Sequence, residues 1–155
     1  MDACAYFETV SEVYDSWERV KRVENYQETV GIALFDKMFM LAPDEEWGMF
    51  TWNREDFQNK DEKFMTFAKK FVRMLDMAID MLGPDMEIVE EQMYELGGAH
   101  QRYGVLPVHF DIMGRALALV LADLLGDRFT ATTKSSWKSV YGFMSTTMIQ
   151  GSVGI

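Results

Sequence analysis

ELGGAHQRYGV, residues 95–105, ends an amphipathic helix on a histidine. Val89, Met93, Leu96 and His100 recur at spacings of three and four, so they share one face of a helix over residues 85–101. Gly104 and then Pro107 stop that helix and open the next. A histidine that closes an apolar face has two readings. It is a core residue satisfied by its surroundings, or it is a ligand, because neutral imidazole is the commonest metal ligand.

The same periodicity extends in both directions. Residues 8–21 align Val10, Val13, Trp17 and Val20, and residues 26–41 align Leu34, Phe35, Met38 and Phe39 ahead of Pro43. Residues 61–82 carry the cleanest stripe: Phe64, Phe67, Phe71, Leu75, Ala78 and Leu82. Residues 108–125 align Phe110, Met113, Leu117, Val120, Leu121 and Leu124, and residues 131–150 align Trp137, Val140, Tyr141, Met144 and Met148. Strand alternation is absent, and the three prolines, at 43, 84 and 107, fall between periodic segments. The expected fold is all-α, with six long helices and one or two short ones near 43–60, in a single domain over residues 1–155.

Composition narrows the function. Apolar residues make up 48% and charged residues 26%, as in a globular protein, and the net charge of -10 argues against nucleic acid and anionic membrane surfaces as partners. Thirteen methionines and eleven phenylalanines suit an interior that closes around an irregular shape, although core filling alone would account for them. The one cysteine, Cys4, cannot form an internal disulfide, and neither a signal peptide nor a spanning apolar run is visible, so a cytoplasmic location is expected. The acidic run around Asp85, Glu87, Glu90 and Glu91 suits the N-terminus of a helix, where carboxylates oppose the dipole.

His100 cannot build a four-coordinate zinc site alone, and no second histidine or cysteine lies near it in sequence. A metal held there must bring its other ligands, which is the condition haem meets by leaving the protein an axial position. His109, the only other histidine, sits at a helix start just past Pro107 and reads as an exposed or capping residue.

LGGAHQRYGV (96–105), PVHF (107–110), ADLLGDRF (122–129) and WKSVY (137–141) together resemble, in order and spacing, the F helix, FG corner, G helix and H helix of a globin. The style is that of neuroglobin-like and flavohaemoglobin-type domains. Ser16-Trp17 resembles the first globin helix, and LFDKMFMLAP (34–43) resembles the second helix running into the proline of the short C helix. The resemblance covers about residues 6–151. It implies haem b, with His100 as the proximal iron ligand. It implies that Phe50 packs on the porphyrin, Met49 being the competitor because the segment after Pro43 is one residue longer than usual in the family. It further places Val105, Phe110, Met113 and Tyr141 around the cofactor, with Lys70, Arg102 and Lys69 as partners for the haem propionates or else as solvated surface charge.

The distal side departs from the family. FMTFAKKF (64–71) puts Phe67 where histidine or glutamine is usual, Phe71 one turn further, and Phe35 on the second helix. With no donor among them, dioxygen would dissociate roughly tenfold to more than a hundredfold faster than in a globin that has one. Carbon monoxide and nitric oxide would suffer less. Lys70 could serve as a sixth ligand only as a desolvated neutral amine. Flavohaemoglobin-type domains use a distal tyrosine and a proximal glutamate. Phe35 holds the first place, the second falls near Ser152, and no reductase domain is visible. Reversible binding of dioxygen, nitric oxide or carbon monoxide, as carrier or gas sensor, in a monomer or homodimer is therefore expected. Turnover as a nitric-oxide dioxygenase or peroxidase with an external reductase, and a haem-free interaction module, are the alternatives.

Overall fold

The structure, a computed structural model, describes residues 3–44, 47–83 and 86–154, without the side chains of residues 3 and 4. Pro84, Asp85 and the Cys4 side chain lie outside the described residues. The chain forms α1 (Ala3–Val20), α2 (Tyr26–Leu41), α3 (Arg54–Gln58), α4 (Glu62–Asp80), α5 (Glu87–Arg102), α6 (Pro107–Leu125) and α7 (Ala131–Val153), with a 3₁₀ turn at Gly126–Arg128. Six helices are long and one is short, and no strand occurs among the described residues.

Local chemistry sets the helix starts. The Asn53 side chain accepts from the Asp56 N–H while the Asp56 carboxylate accepts from the Asn53 N–H, a reciprocal box that starts α3. Asp61 caps α4 by accepting from the Lys63 N–H at 3.0 Å, and Thr130 caps α7 through the Thr133 N–H. Pro107 opens α6, its missing N–H costing nothing there. The first helix begins five residues earlier than its apolar stripe suggests. Within that extra turn, the Tyr6 hydroxyl donates to the Gly83 carbonyl and to the Met86 sulfur, so contacts with the α4–α5 connection hold it.

Trp17 and Trp137 meet edge to face at 6.0 Å in the larger apolar core. Both indoles are satisfied: Trp17 donates to Asp76 at 2.6 Å and Trp137 to the Ser16 hydroxyl at 2.8 Å. The other Asp76 oxygen accepts from the Tyr26 hydroxyl at 2.7 Å, so one carboxylate on α4 ties α1 and α2. Leaving such donors unpaired would cost about 1–3 kcal/mol each.

Glycines allow two close crossings. A Cβ on Gly31 of α2 would stand 2.8 Å from the Ala68 Cβ of α4. A Cβ on Gly97 of α5 would stand 1.9 Å from the Met148 carbonyl oxygen, and one on Gly151 of α7 1.9 Å from that of Tyr94. Thus, among the described residues, α4 packs on α2 and α5 packs on α7 through close crossings, while Val72 and Ile79 of α4 and Val89 and Met93 of α5 belong to the same apolar core. Among the described residues no single helix is long and apolar enough to cross a membrane.

Candidate functional site

His100 occupies the last turn of α5, half-buried. Its Nδ1 lies 2.8 Å from the Leu96 carbonyl oxygen one turn back. A carbonyl can only accept, so Nδ1 carries the proton, and the nitrogen left to act as a ligand is Nε2. No partner for Nε2 occurs among the described residues. The turn closes when the His100 carbonyl accepts from the Tyr103 and Val105 N–H groups, with Gly104 at a φ of 87° that favours glycine. The imidazole faces Phe110 with ring centres 5.8 Å apart. Phe110 is fixed in turn, because Tyr141 packs its ring on Gly114 and donates its hydroxyl to the Phe110 carbonyl. Burial, and next the Asp111 charge, push the Tyr141 phenol far above its usual range, so it stays a donor.

Across from α5, Phe35 is fully buried and is the hub of an aromatic cluster. Phe50, Phe64, Phe67 and Phe71 lie around it with ring centres 5.6 to 5.7 Å away. Phe50 joins this cluster; Met49 is half-buried and does not. Phe71 and Met113 bridge the cluster to the larger core.

The charged candidates separate. Lys69 pairs with Glu28 at 2.9 Å on the surface, both side chains partly exposed. Lys70 is exposed and edges an outer groove of about 540 Å³ with Gln27, Arg73 and Asp76. Arg102 is exposed at the end of α5. Of the two readings of His109, exposed or capping, the structure takes the second: it is 6% accessible, and its Nδ1 accepts from the Leu106 N–H at the start of α6. Among the described residues no three histidine, cysteine or carboxylate side chains converge on a metal position. A metal at His100 would have to carry its own ligands.

The globin family model matches residues 32–148. The chain belongs to the globin family. Neuroglobin of Tetraodon nigroviridis is 28% identical over 125 residues, spanning 78% of this chain and 77% of that one. The flavohemoprotein of Bacillus subtilis is 25% identical over 127 residues, or 82% of this chain and 30% of that one. In three dimensions, a hexacoordinated haem protein from an anhydrobiotic tardigrade superposes with a TM-score of 0.77, covering 94% of this chain and 93% of its own at 20% identity.

Two residues of this globin's site escaped the sequence reading. Trp47 and Trp52 flank Phe50, and Trp52 stacks on it at 4.6 Å and 7°. With Phe39, Gly48, Asn53 and Arg54 these three line a cavity of about 370 Å³. Both indole N–H groups are buried without an acceptor among the described residues. The segment WGMFTW (47–52) advertises them by composition alone, since no helical period runs through it.

Proposed function

We propose that this globin holds haem b between α4 and α5, with His100 Nε2 on the iron, and binds a small gas reversibly on the Phe67 side. The observation that carries the reading is the bond from His100 Nδ1–H to the Leu96 carbonyl. A ligating histidine commonly donates its second nitrogen in this way, which fixes the tautomer and raises the basicity of the free nitrogen. The reading is also supported by the apolar side chains the structure gathers there: Phe35, Phe50, Phe67, Phe71 and Met113 in one aromatic cluster, and Phe110 against the His100 ring. When bound, haem would supply a ferrous iron with one open position.

The chain's own residues supply the rest. His100 is oriented by its carbonyl and by the closed turn behind it. The phenyl rings exclude water and bury porphyrin surface, at about 25 cal/mol per Å². Lys70 and Arg102 would meet propionates at the edge. Phe67 and Phe71 offer no atom to the iron, so a five-coordinate ferrous state is expected, in contrast to the six-coordinate state named for the tardigrade protein. Phe35 offers no hydroxyl for oxygen chemistry, which favours ligand binding over turnover. Residues 1–155 are proposed to act as one globin domain.

The test is an absorption spectrum of the purified protein and of His100→Ala. A Soret band that His100→Ala weakens or loses supports the reading. A colourless, fully helical wild type refutes it.

A further inference from the structure

We infer that the indole N–H of Trp52 is the distal hydrogen-bond donor of this globin, the group that retains dioxygen in preference to carbon monoxide. The inference rests on the haem reading above and goes beyond it by naming the residue that discriminates between gases.

All four tryptophans are placed by the structure, and they divide into two pairs. Trp17 and Trp137 each donate to a fixed oxygen, on Asp76 and Ser16. Trp47 and Trp52 bury their N–H groups without an acceptor among the described residues. An unpaired buried donor is destabilising, so an arrangement that keeps one is explained most directly by an acceptor that arrives with a ligand. The apolar side chains packed with Trp52, among them Phe35, Phe57 and Phe64, offer no acceptor, and Asn53, which shares its cavity, turns its side-chain oxygen to the Asp56 N–H instead.

Position separates the two indoles. Trp52 is 4% exposed, and its ring centre lies 5.1 Å from Phe35 and 5.7 Å from Phe67, the two residues the haem reading places on the gas side. Trp47 instead meets Phe39, Phe50 and His109. Trp52 therefore stands beside residue 67, where the family usually supplies a polar side chain, and carries the only kind of group that Phe67 lacks. Dioxygen on a ferrous haem draws electron density to its outer oxygen and becomes a strong acceptor, whereas carbon monoxide does so weakly. One N–H in apolar surroundings thus acts selectively.

The experiment compares gas dissociation from the ferrous haem protein with that from Trp52→Phe, which keeps a ring against Phe50 and removes only the N–H. Dioxygen should leave about tenfold faster or more from the variant, with carbon monoxide dissociation changed much less. A second measurement needs no variant: the Trp52 indole proton resonance should move downfield between the carbon monoxide and dioxygen forms of the wild type. Unchanged dioxygen kinetics in a variant with an intact Soret band, or an indole resonance that does not move, overturns the inference and leaves the haem reading standing. Faster haem loss with unchanged gas kinetics would assign the N–H to a porphyrin carboxylate and also overturns it. A wild type without a Soret band removes both.

Discussion

Gly97→Ala and Gly98→Ala, adjacent substitutions in one helix, should move stability in opposite directions. A Cβ on Gly97 would lie 1.9 Å from the Met148 carbonyl oxygen, 2.6 Å from its carbon and 2.7 Å from its Cα. All three atoms are backbone, so no rotamer change relieves the clash. A carbon-to-oxygen contact needs about 3.3 Å, so α5 and α7 must part by roughly 1.4 Å at this point. Overpacking a fitted contact costs about 1–3 kcal/mol, and an obstacle made of backbone belongs at the upper end. For a chain of this size that lowers Tm by about 6–12 °C. A Cβ on Gly98 meets nothing nearer than the Gly151 oxygen at 3.9 Å, an ordinary contact. Alanine there gains about 0.8–1 kcal/mol of helix propensity, or about 2–4 °C. Thermal unfolding followed by helical circular dichroism on the haem-free protein reads both. Equal Tm values for Gly97→Ala and wild type would refute the reciprocal glycine contact. Because His100 follows Gly97 by three residues, the same displacement should also weaken haem retention in Gly97→Ala more than in Gly98→Ala.

Three further outcomes follow from particular contacts. His100→Gly should stay helical and hold haem weakly, with added imidazole partly restoring the ferrous spectrum; an unchanged spectrum would mean another axial ligand. Phe67→His should add a second donor beside the Trp52 N–H and slow dioxygen release further, or else close the iron as a low-spin form; unchanged kinetics and spectrum would make Phe67 core packing alone. Tyr141→Phe should lose about 0.5–1.5 kcal/mol at pH 7, the bond to the Phe110 carbonyl. Because the folded phenol titrates above the unfolded value of about 10, the unfolded chain loses its proton first, and wild-type stability falls as pH rises from there. Tyr141→Phe should lack that part of the alkaline decline, measured by urea unfolding between pH 9 and 11, and an identical slope would refute the assignment.

The helices were legible because burial on one face imposes a 3.6-residue period, as Phe64, Phe67 and Phe71 show on α4. The first turn of α1 was not, since Tyr6 is held by the α4–α5 connection rather than by its own stripe. His100 could be singled out as a residue, but the free nitrogen depends on a carbonyl one turn away. Lys69 and Lys70 look alike in a sequence; Glu28, distant along the chain, takes one of them. Trp47 and Trp52 lie in an irregular segment where periodicity has nothing to count, so the burial of Trp52 emerges only when Phe35 of α2 and Phe64 of α4 close over it, and Trp47 is placed by Phe39, Phe50 and His109.

Gly31 against Ala68 draws α4 onto α2, and Gly97 with Gly151 draws α5 onto α7. With haem held between α4 and α5, as proposed, the two sides of the site would differ in kind. On the α5 side, bonds along the chain and the Tyr141 tie to Phe110 fix an imidazole in one tautomer. On the α4 side, aromatic rings at 4.6 to 5.7 Å from one another fill space without directional bonds. In the proposed haem site the hydrogen-bonded His100 side would set where the iron stands, and the ring-packed side would set how polar a ligand can be. Apolar rings alone would favour carbon monoxide and nitric oxide. A single unpaired indole N–H among them, on Trp52, would on the proposal above shift that balance toward dioxygen, because in such surroundings one charge-assisted bond outweighs many dispersion contacts that all gases share.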